Sequence, residues 1–276
     1  MKKIIALLLV TTALIACNDV EQKADVKLQT AREAFRQGNY NEAKIQIDSI
    51  KLLYPKAFEA RRAGIALMQQ VEVAEQERTL HYLDSLQQVK HAELDSLRGG
   101  FVFEKDTAYQ SLGNYFYPSQ VVEKNLHRSF LRFQVDEQGA MSMTSIYCGS
   151  RSIHHTAVKV AIPDGSFAQT PASRDSYEST NLGEQIEKVD YRRGEDGDVI
   201  GFVGMNSDQT IRVTYLGERT FTTTMSADDR RAAKSLSRLS QLLTTLTHIR
   251  KEKEEANLKL EFVKRNMQQA ADEAVP

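Results

Sequence analysis

Hydrophobic residues recur at helical spacing in two long stretches that lie on either side of a strand-rich middle region. In residues 226–269 they are three or four positions apart and predict one apolar stripe, made of Leu236, Leu239, Leu243, Leu246 and Ile249. Ser226 and Asp229 have the spacing of a capping box at the start of this helix. Residues 56–98 carry a second stripe, made of Leu80, Leu83, Leu86, Leu94 and Leu97. Because neither stripe is stable in water, the pattern predicts an antiparallel helical stalk that carries the β region.

The middle region, residues 101–225, shows the alternation that is typical of β-strands. Leu131, Phe133 and Val135 alternate with polar residues, and turn signals recur at strand spacing. Residues 199–203 are interpreted as one strand of a hairpin, and residues 172–183 as a long loop. The pattern predicts roughly seven to nine antiparallel strands in a β-sandwich or small barrel. The predicted fold class is therefore α+β, with an N-terminal helical hairpin and the stalk beside the β domain.

A helix–turn–helix pattern occupies residues 25–55. Gly38 suits the end of a first helix, Asn39 caps the second, and Pro55 follows its end. With the small residues around them, these positions resemble one tetratricopeptide-type hairpin. Arrays of such hairpins bind peptides, but about three repeats are needed to form a groove. This single hairpin is therefore interpreted as packing for the longer helix, with peptide recognition as the alternative.

The N-terminus carries the pattern of a targeting signal. Lys2 and Lys3 precede an apolar run, residues 4–15, that is too short to cross a bilayer as a mature helix. The run ends at Cys17 and resembles the lipobox of bacterial lipoproteins. The resemblance implies cleavage before Cys17 and lipidation of its sulfur, so that several acyl chains anchor the protein. An ordinary secretory signal with an incidental cysteine is the alternative.

The domain organisation follows from these patterns. The predicted segments are a signal peptide (1–16), a tether (17–24), a helical region (25–98), the β domain (101–225), the C-terminal helix packed on 56–98 (226–269) and a frayed tail (270–276). The whole chain resembles uncharacterised Gram-negative envelope lipoproteins that combine a helical hairpin with a β domain. That resemblance implies a lipid-anchored location in the cell envelope, at the outer membrane, and it implies no known activity.

Composition and candidate chemistry narrow the function. The chain has 276 residues and a net charge of −1, without the clustered basic residues of a nucleic-acid surface. If Cys17 carries lipid, Cys148 has no partner for an intrachain disulfide, and it is interpreted as a buried inert thiol rather than a nucleophile. His154 and His155 are adjacent in a strand-like pattern and point to opposite faces, which disfavours a shared metal. No catalytic residue, metal site or cofactor is predicted.

These observations favour a non-enzymatic, membrane-anchored scaffold or protein-binding module. Its expected partners are the membrane, through lipidated Cys17, another protein, and a second copy through the helical stalk. The alternative is that the β domain binds a small ligand, a glycan or a lipid, at the aromatic cluster Tyr115, Phe116 and Tyr117, although such a cluster also suits core packing. A weaker alternative is a hydrolase built around His127, His154 or His155.

Overall fold

The computed structural model describes the backbone of residues 2–181 and 183–273 and the side chains of residues 19–181 and 183–273. The fold is α+β, as predicted, with long helices and antiparallel sheets. The chain divides into two compact units. Unit 1 comprises Met1–Leu86 and Arg250–Pro276, and unit 2 comprises Gln87–Ile249. Within the described residues, no helix is both long enough and apolar enough to cross a bilayer. The side chain of Cys17 lies outside the described residues.

Unit 1 is helical. Its elements are α1 (Lys2–Arg36), α2 (Tyr40–Leu53), the first part of α3 (Phe58–Arg98) and the last part of α5 (Ala227–Glu273). Gly38 takes a left-handed conformation, φ 73°, and the side chain of Asn39 accepts a hydrogen bond from the Glu42 amide at 3.3 Å. These contacts form the turn that the sequence predicts between the first two helices.

Small residues let the helices of unit 1 approach closely. The core consists of Ala24, Leu28, Ala31, Ala34, Ala43, Ile47, Ile50, Ala57, Ala60, Leu67 and Val71. Helix α1 includes residues 19–24, where the sequence analysis expects a tether, and Ala24 is fully buried. The reason is that Ala24, Leu28 and Ala31 continue one apolar stripe at helical spacing.

Ion pairs within each unit show how α3 and α5 run. In unit 1, Lys253 pairs with Asp84 at 2.6 Å and Lys264 pairs with Glu77 at 3.1 Å. The higher number on α5 meets the lower number on α3, which is the order of an antiparallel pair. In unit 2, Arg238 on α5 lies 3.5 Å from Glu93 on α3.

Unit 2 contains two antiparallel sheets. The first has the strand order β1-β2-β3-β4-β8-β7 and the second β10-β9-β5-β6. The strands are β1 (Val102–Glu104), β2 (Asn114–Phe116), β3 (Phe130–Asp136), β4 (Met141–Gly149), β5 (Ala157–Ala161), β6 (Phe167–Gln169), β7 (Ser176–Asn181), β8 (Glu184–Arg192), β9 (Arg212–Leu216) and β10 (Thr220–Thr224). Both sheets share one core with helix α4 (Val199–Met205) and the predicted leucines Leu236, Leu239 and Leu243 of α5.

Two segments of unit 2 differ from the sequence-based interpretation. Residues 199–203 lie in helix α4, not in a strand, because the Asp196 carboxylate accepts from the Ile200 amide at 2.8 Å and starts a helical turn. Residues 172–183, expected to be a loop, contain β7, which pairs with β8. Strand β7 lies at a sheet edge and is exposed, so its sequence lacks the apolar alternation that reveals a strand.

Candidate ligand-binding face

One face of the six-stranded sheet packs on the core, and the opposite face, here called the open face, does not. The burial of β3, β4 and β8 alternates along each strand. The strand register groups the open-face side chains into rows that run across the sheet. Two rows are largely apolar: one contains Phe130, Ile146 and Lys188, and the other contains Cys148 and Ile186. Two further rows are polar: one contains Arg132, Thr144 and Asp190, and the other contains Gln134, Ser142 and Arg192.

A cavity of about 720 Å³ lies on this open face. Its lining includes all four rows, and Val122 and Leu126 extend its apolar end. Small-molecule sites in proteins typically measure about 300–1,000 Å³ and combine an apolar wall with a few placed polar groups. The cavity therefore has the size and the segregated chemistry of a site for an amphipathic small molecule.

Arg132 is a poorly compensated charge in the lining of the cavity. Its side chain is 18% exposed, and its guanidinium lies 4.0 Å from the centroid of the Phe116 ring. Its Nε and Nη2 atoms are buried and have no hydrogen-bond partner among the described residues, and the Glu104 carboxylate is 3.8 Å away. Burial lowers the pKa of Arg132, and the opposing attraction of Glu104, Glu123 and Asp190 does not cancel this effect. A partly desolvated cation is suited to bind an anion, which reaches it through the part of the side chain that stays exposed.

Two other charged groups around the cavity have partners of their own. Asp190 accepts a hydrogen bond from Thr144, and Arg128 pairs with Asp229. Cys148 also lines the cavity. Burial raises the pKa of its thiol, and the hydrogen bond to Glu184 raises it to a smaller extent. Cys148 is half-buried, not buried as expected from the sequence, and its raised pKa favours the less reactive, protonated thiol.

The predicted aromatic cluster divides between the two faces of the sheet. Tyr115 and Tyr117 are half-buried and pack against the core of unit 2. Phe116 lies between them along the chain, points to the other side and is covered by Arg132. Only Phe116 therefore adjoins the open face, and the ring acts as a support for Arg132.

The three histidines of the hydrolase hypothesis each meet a different glutamate. The pairs are His127 with Glu184, His154 with Glu178, and His155 with Glu187. Two partners of His155 were not apparent from the sequence. They are Ser145, whose Oγ lies 2.8 Å from His155 Nε2, and Glu187, whose Oε2 lies 2.8 Å from His155 Nδ1. The available signal was that both are polar residues at inward positions of strands that are mostly apolar on that side.

The Ser145–His155–Glu187 hydrogen-bond chain has the residue order of a catalytic triad, but it lacks the access to substrate that a triad needs. All three residues are buried, and Ser145 lies in the middle of β4 between Leu131 and Val189. Burial lowers the pKa of His155, so the ring is neutral: Nδ1–H donates to Glu187, and the Ser145 hydroxyl donates to Nε2. A hydroxyl sealed within a paired strand offers no path for a substrate, so this chain is a core network.

A second cluster places donor atoms of His154, Glu178 and Glu187 within 4.8 Å of one another. A metal would need lone pairs that Glu187 does not have to spare. Its Oε1 accepts from the amides of Ile153 and His154, and its Oε2 accepts from the amide and the ring of His155. The carboxylate is thus saturated by hydrogen bonds.

Comparison with known proteins finds no matching family model, no similar curated protein and no similar solved structure. The interpretation of the open face therefore depends on its geometry and charge.

Proposed function

We propose that this chain is a membrane-anchored, non-enzymatic binding protein whose open face holds a small amphipathic molecule with an anionic head. The observation that carries the proposal is the partly desolvated guanidinium of Arg132, whose Nε and Nη2 have no hydrogen-bond partner among the described residues, in a cavity of about 720 Å³. The anchor is the lipid expected on Cys17, supported by Lys2, Lys3 and the apolar run that precedes it.

The arrangement of rows sets the orientation of the ligand. A carboxylate or phosphate head lies at Arg132, where the side-chain amide of Gln134 offers a further hydrogen bond. The apolar body lies toward Phe130, Ile146 and Ile186, where each Å² of apolar surface removed from water contributes about 25 cal/mol.

The aromatic rings of this region favour a lipid-like ligand over a glycan. Sugars bind by stacking on exposed aromatic faces. Here the guanidinium of Arg132 covers Phe116 at 4.0 Å, and that of Arg128 covers Phe130 at 4.4 Å. Both rings already have a stacking partner, so they are not platforms for a sugar.

Calorimetric titration with decanoate, a fatty acid carboxylate, tests the proposal. We expect decanoate to bind, and we expect Arg132→Met to weaken binding by about tenfold or more because a charge-assisted hydrogen bond is lost. Lys159→Met is a matched control, since Lys159 also covers a phenylalanine ring, Phe167, at 3.8 Å, but on the other sheet. Arg132→Met should leave the unfolding free energy within about 0.5 kcal/mol of its original value, since the removed cation is poorly compensated.

The head group and the tail are tested separately with two further ligands. Decanol has the same tail without a charge, and decyltrimethylammonium has the opposite charge, so both should bind more weakly than decanoate. Equal binding of all three, or unchanged decanoate binding by Arg132→Met, would contradict the assigned site.

A further inference from the structure

The connection between α2 and α3 exposes large apolar side chains in unit 1. Leu52 is 77% exposed, Leu53 62% and Phe58 70%. All three lie within residues 51–62, here called the basic–apolar patch, at the end of α2 and the start of α3. Leu52, Leu53 and Phe58 lie within seven positions of one another, and together they form a candidate surface for an apolar contact.

The same segment is strongly basic. It contains four basic residues, Lys51, Lys56, Arg61 and Arg62, and one acidic residue, Glu59, in a chain whose overall net charge is −1. Lys51, Lys56 and Arg62 are exposed, while Arg61 donates to the Pro55 carbonyl at 2.8 Å. Apolar residues flanked by exposed cations are the composition that favours the boundary between lipid head groups and acyl chains.

A hydrogen bond fixes where this patch lies relative to the N-terminal segment of unit 1. Glu21 on α1 accepts from the backbone amide of Ala60 at 2.8 Å. Cys17 precedes Glu21 by four residues. Four residues span at most about 14 Å even when fully extended. The sulfur expected to carry lipid is therefore tethered within a short distance of the basic–apolar patch.

We infer that the basic–apolar patch docks on the surface of the membrane into which the acyl chains of Cys17 insert, with a preference for anionic lipid. The inference rests on the lipid anchor of the proposed function and adds a second, protein-based contact. A membrane is the occupant favoured over another protein, because the anchor holds this surface close to lipid head groups and the charges are complementary to them. Each exposed basic residue near an anionic surface strengthens attachment by roughly fivefold.

Tryptophan fluorescence tests the contact without background, because the chain contains no tryptophan. Phe58→Trp places the reporter in the patch, and Tyr82→Trp is its matched control. Tyr82 is also an exposed aromatic residue of α3, 63% exposed, and it lies 24 positions further along the same helix. That separation is about 36 Å at 1.5 Å per residue. The full-length lipidated proteins are reconstituted with vesicles of phosphatidylcholine and phosphatidylglycerol that carry bromine on their acyl chains.

We expect Phe58→Trp to shift its emission to the blue and to lose more than half of its intensity on brominated vesicles, because bromine quenches only at short range. Tyr82→Trp should keep its emission wavelength and its emission intensity on the same vesicles. In the Phe58→Trp background, replacing Lys51, Lys56 and Arg62 by Gln should reduce quenching, whereas replacing Lys251 and Lys259 of α5 by Gln should not. Vesicles of phosphatidylcholine alone should quench less than the anionic vesicles.

Flotation of the same samples separates the two proposals. A protein that floats with the vesicles while Phe58→Trp stays unquenched would overturn docking and leave the anchor intact. A protein that does not float, with Phe58→Trp unquenched, would overturn both. Equal quenching of Phe58→Trp and Tyr82→Trp would also overturn docking, because it would show contact without a preferred surface.

Discussion

A single carboxylate, that of Glu187, organises a turn that is distant in sequence. The amides of Ile153, His154 and His155 donate to it at 2.7–2.9 Å, and the His155 ring adds a fourth bond. His154 has φ 51°, a left-handed conformation that a residue with a side chain adopts only when its surroundings require it. The histidines are visible in the sequence but their acceptor is not, because the strand register, and not local spacing, brings β8 to residues 153–155.

The buried His155 ring predicts a dependence of stability on pH. Burial lowers its pKa below the ordinary value of 6.5, so below that pH the unfolded chain binds a proton that the native ring does not. The free energy of unfolding should therefore fall as pH decreases below 6.5. Burial alone would raise the pKa of Glu187, but the hydrogen bonds from His155 and the backbone amides outweigh burial and lower it, which adds a further loss below pH 4.5.

Urea unfolding between neutral pH and about 5 measures this effect. His155→Gln keeps a donor for Glu187 without a titrating ring, so the slope of stability against pH should become shallower. His154 acts with the opposite sign, because its hydrogen bond to Glu178 raises its pKa and stabilises the native state at low pH. A His155→Gln variant with the original slope would show that other groups cause the pH dependence.

At the scale of elements, the start of α5 was predictable from the sequence, but the contacts that hold it against β3 were not. Ser226 accepts from the Asp229 amide at 3.1 Å and donates to its carboxylate at 2.6 Å, as the spacing of the two residues suggests. The buried Asp229 also binds Arg128 and Gln120, which tie the helix start to the segment before β3 and to β3 itself. Those partners lie about a hundred positions away, so no local pattern could reveal them.

Removal of the Ser226 hydroxyl should destabilise unit 2. Ser226→Ala loses the helix cap and leaves Asp229 with one partner fewer, and we expect the free energy of unfolding to fall by about 1–2 kcal/mol. Ser226→Thr keeps the hydroxyl and serves as the control, with a smaller loss. Equal losses for the two variants in chemical denaturation would contradict a role for the hydroxyl.

At the scale of the whole molecule, the sequence predicts the fold class and the long helices better than it predicts the open face and the basic–apolar patch. Hydrophobic periodicity was sufficient for the α+β class and for both long helices. The open face was not predictable, because its side chains come from three strands whose register aligns Arg132 with Thr144 and Asp190. The basic–apolar patch was visible as composition, but its nearness to residue 21 depends on the packing of α1 against α3.

The expected lipid on Cys17 is the prediction that concerns the molecule as a whole. In a bacterial host fed radiolabelled palmitate, the protein should incorporate label, and Cys17→Ser should abolish incorporation. Cys148→Ser is the matched control and should keep the label, since Cys148 is the only other cysteine. Mass spectrometry should find an acylated Cys17 at the N-terminus of the mature chain. Labelling that persists in Cys17→Ser would show that the lipobox resemblance is misleading.

The division of the chain into units has a consequence for biosynthesis. Unit 2 is one continuous segment, Gln87–Ile249, inserted between the two parts of unit 1, and the last part of unit 1 begins at Arg250. A ribosome therefore completes every strand of both sheets before it makes the final helical segment of unit 1. Because domains generally fold as units during synthesis, the sheets can form first, while the helical unit is completed only after the segment that begins at Arg250 has been made.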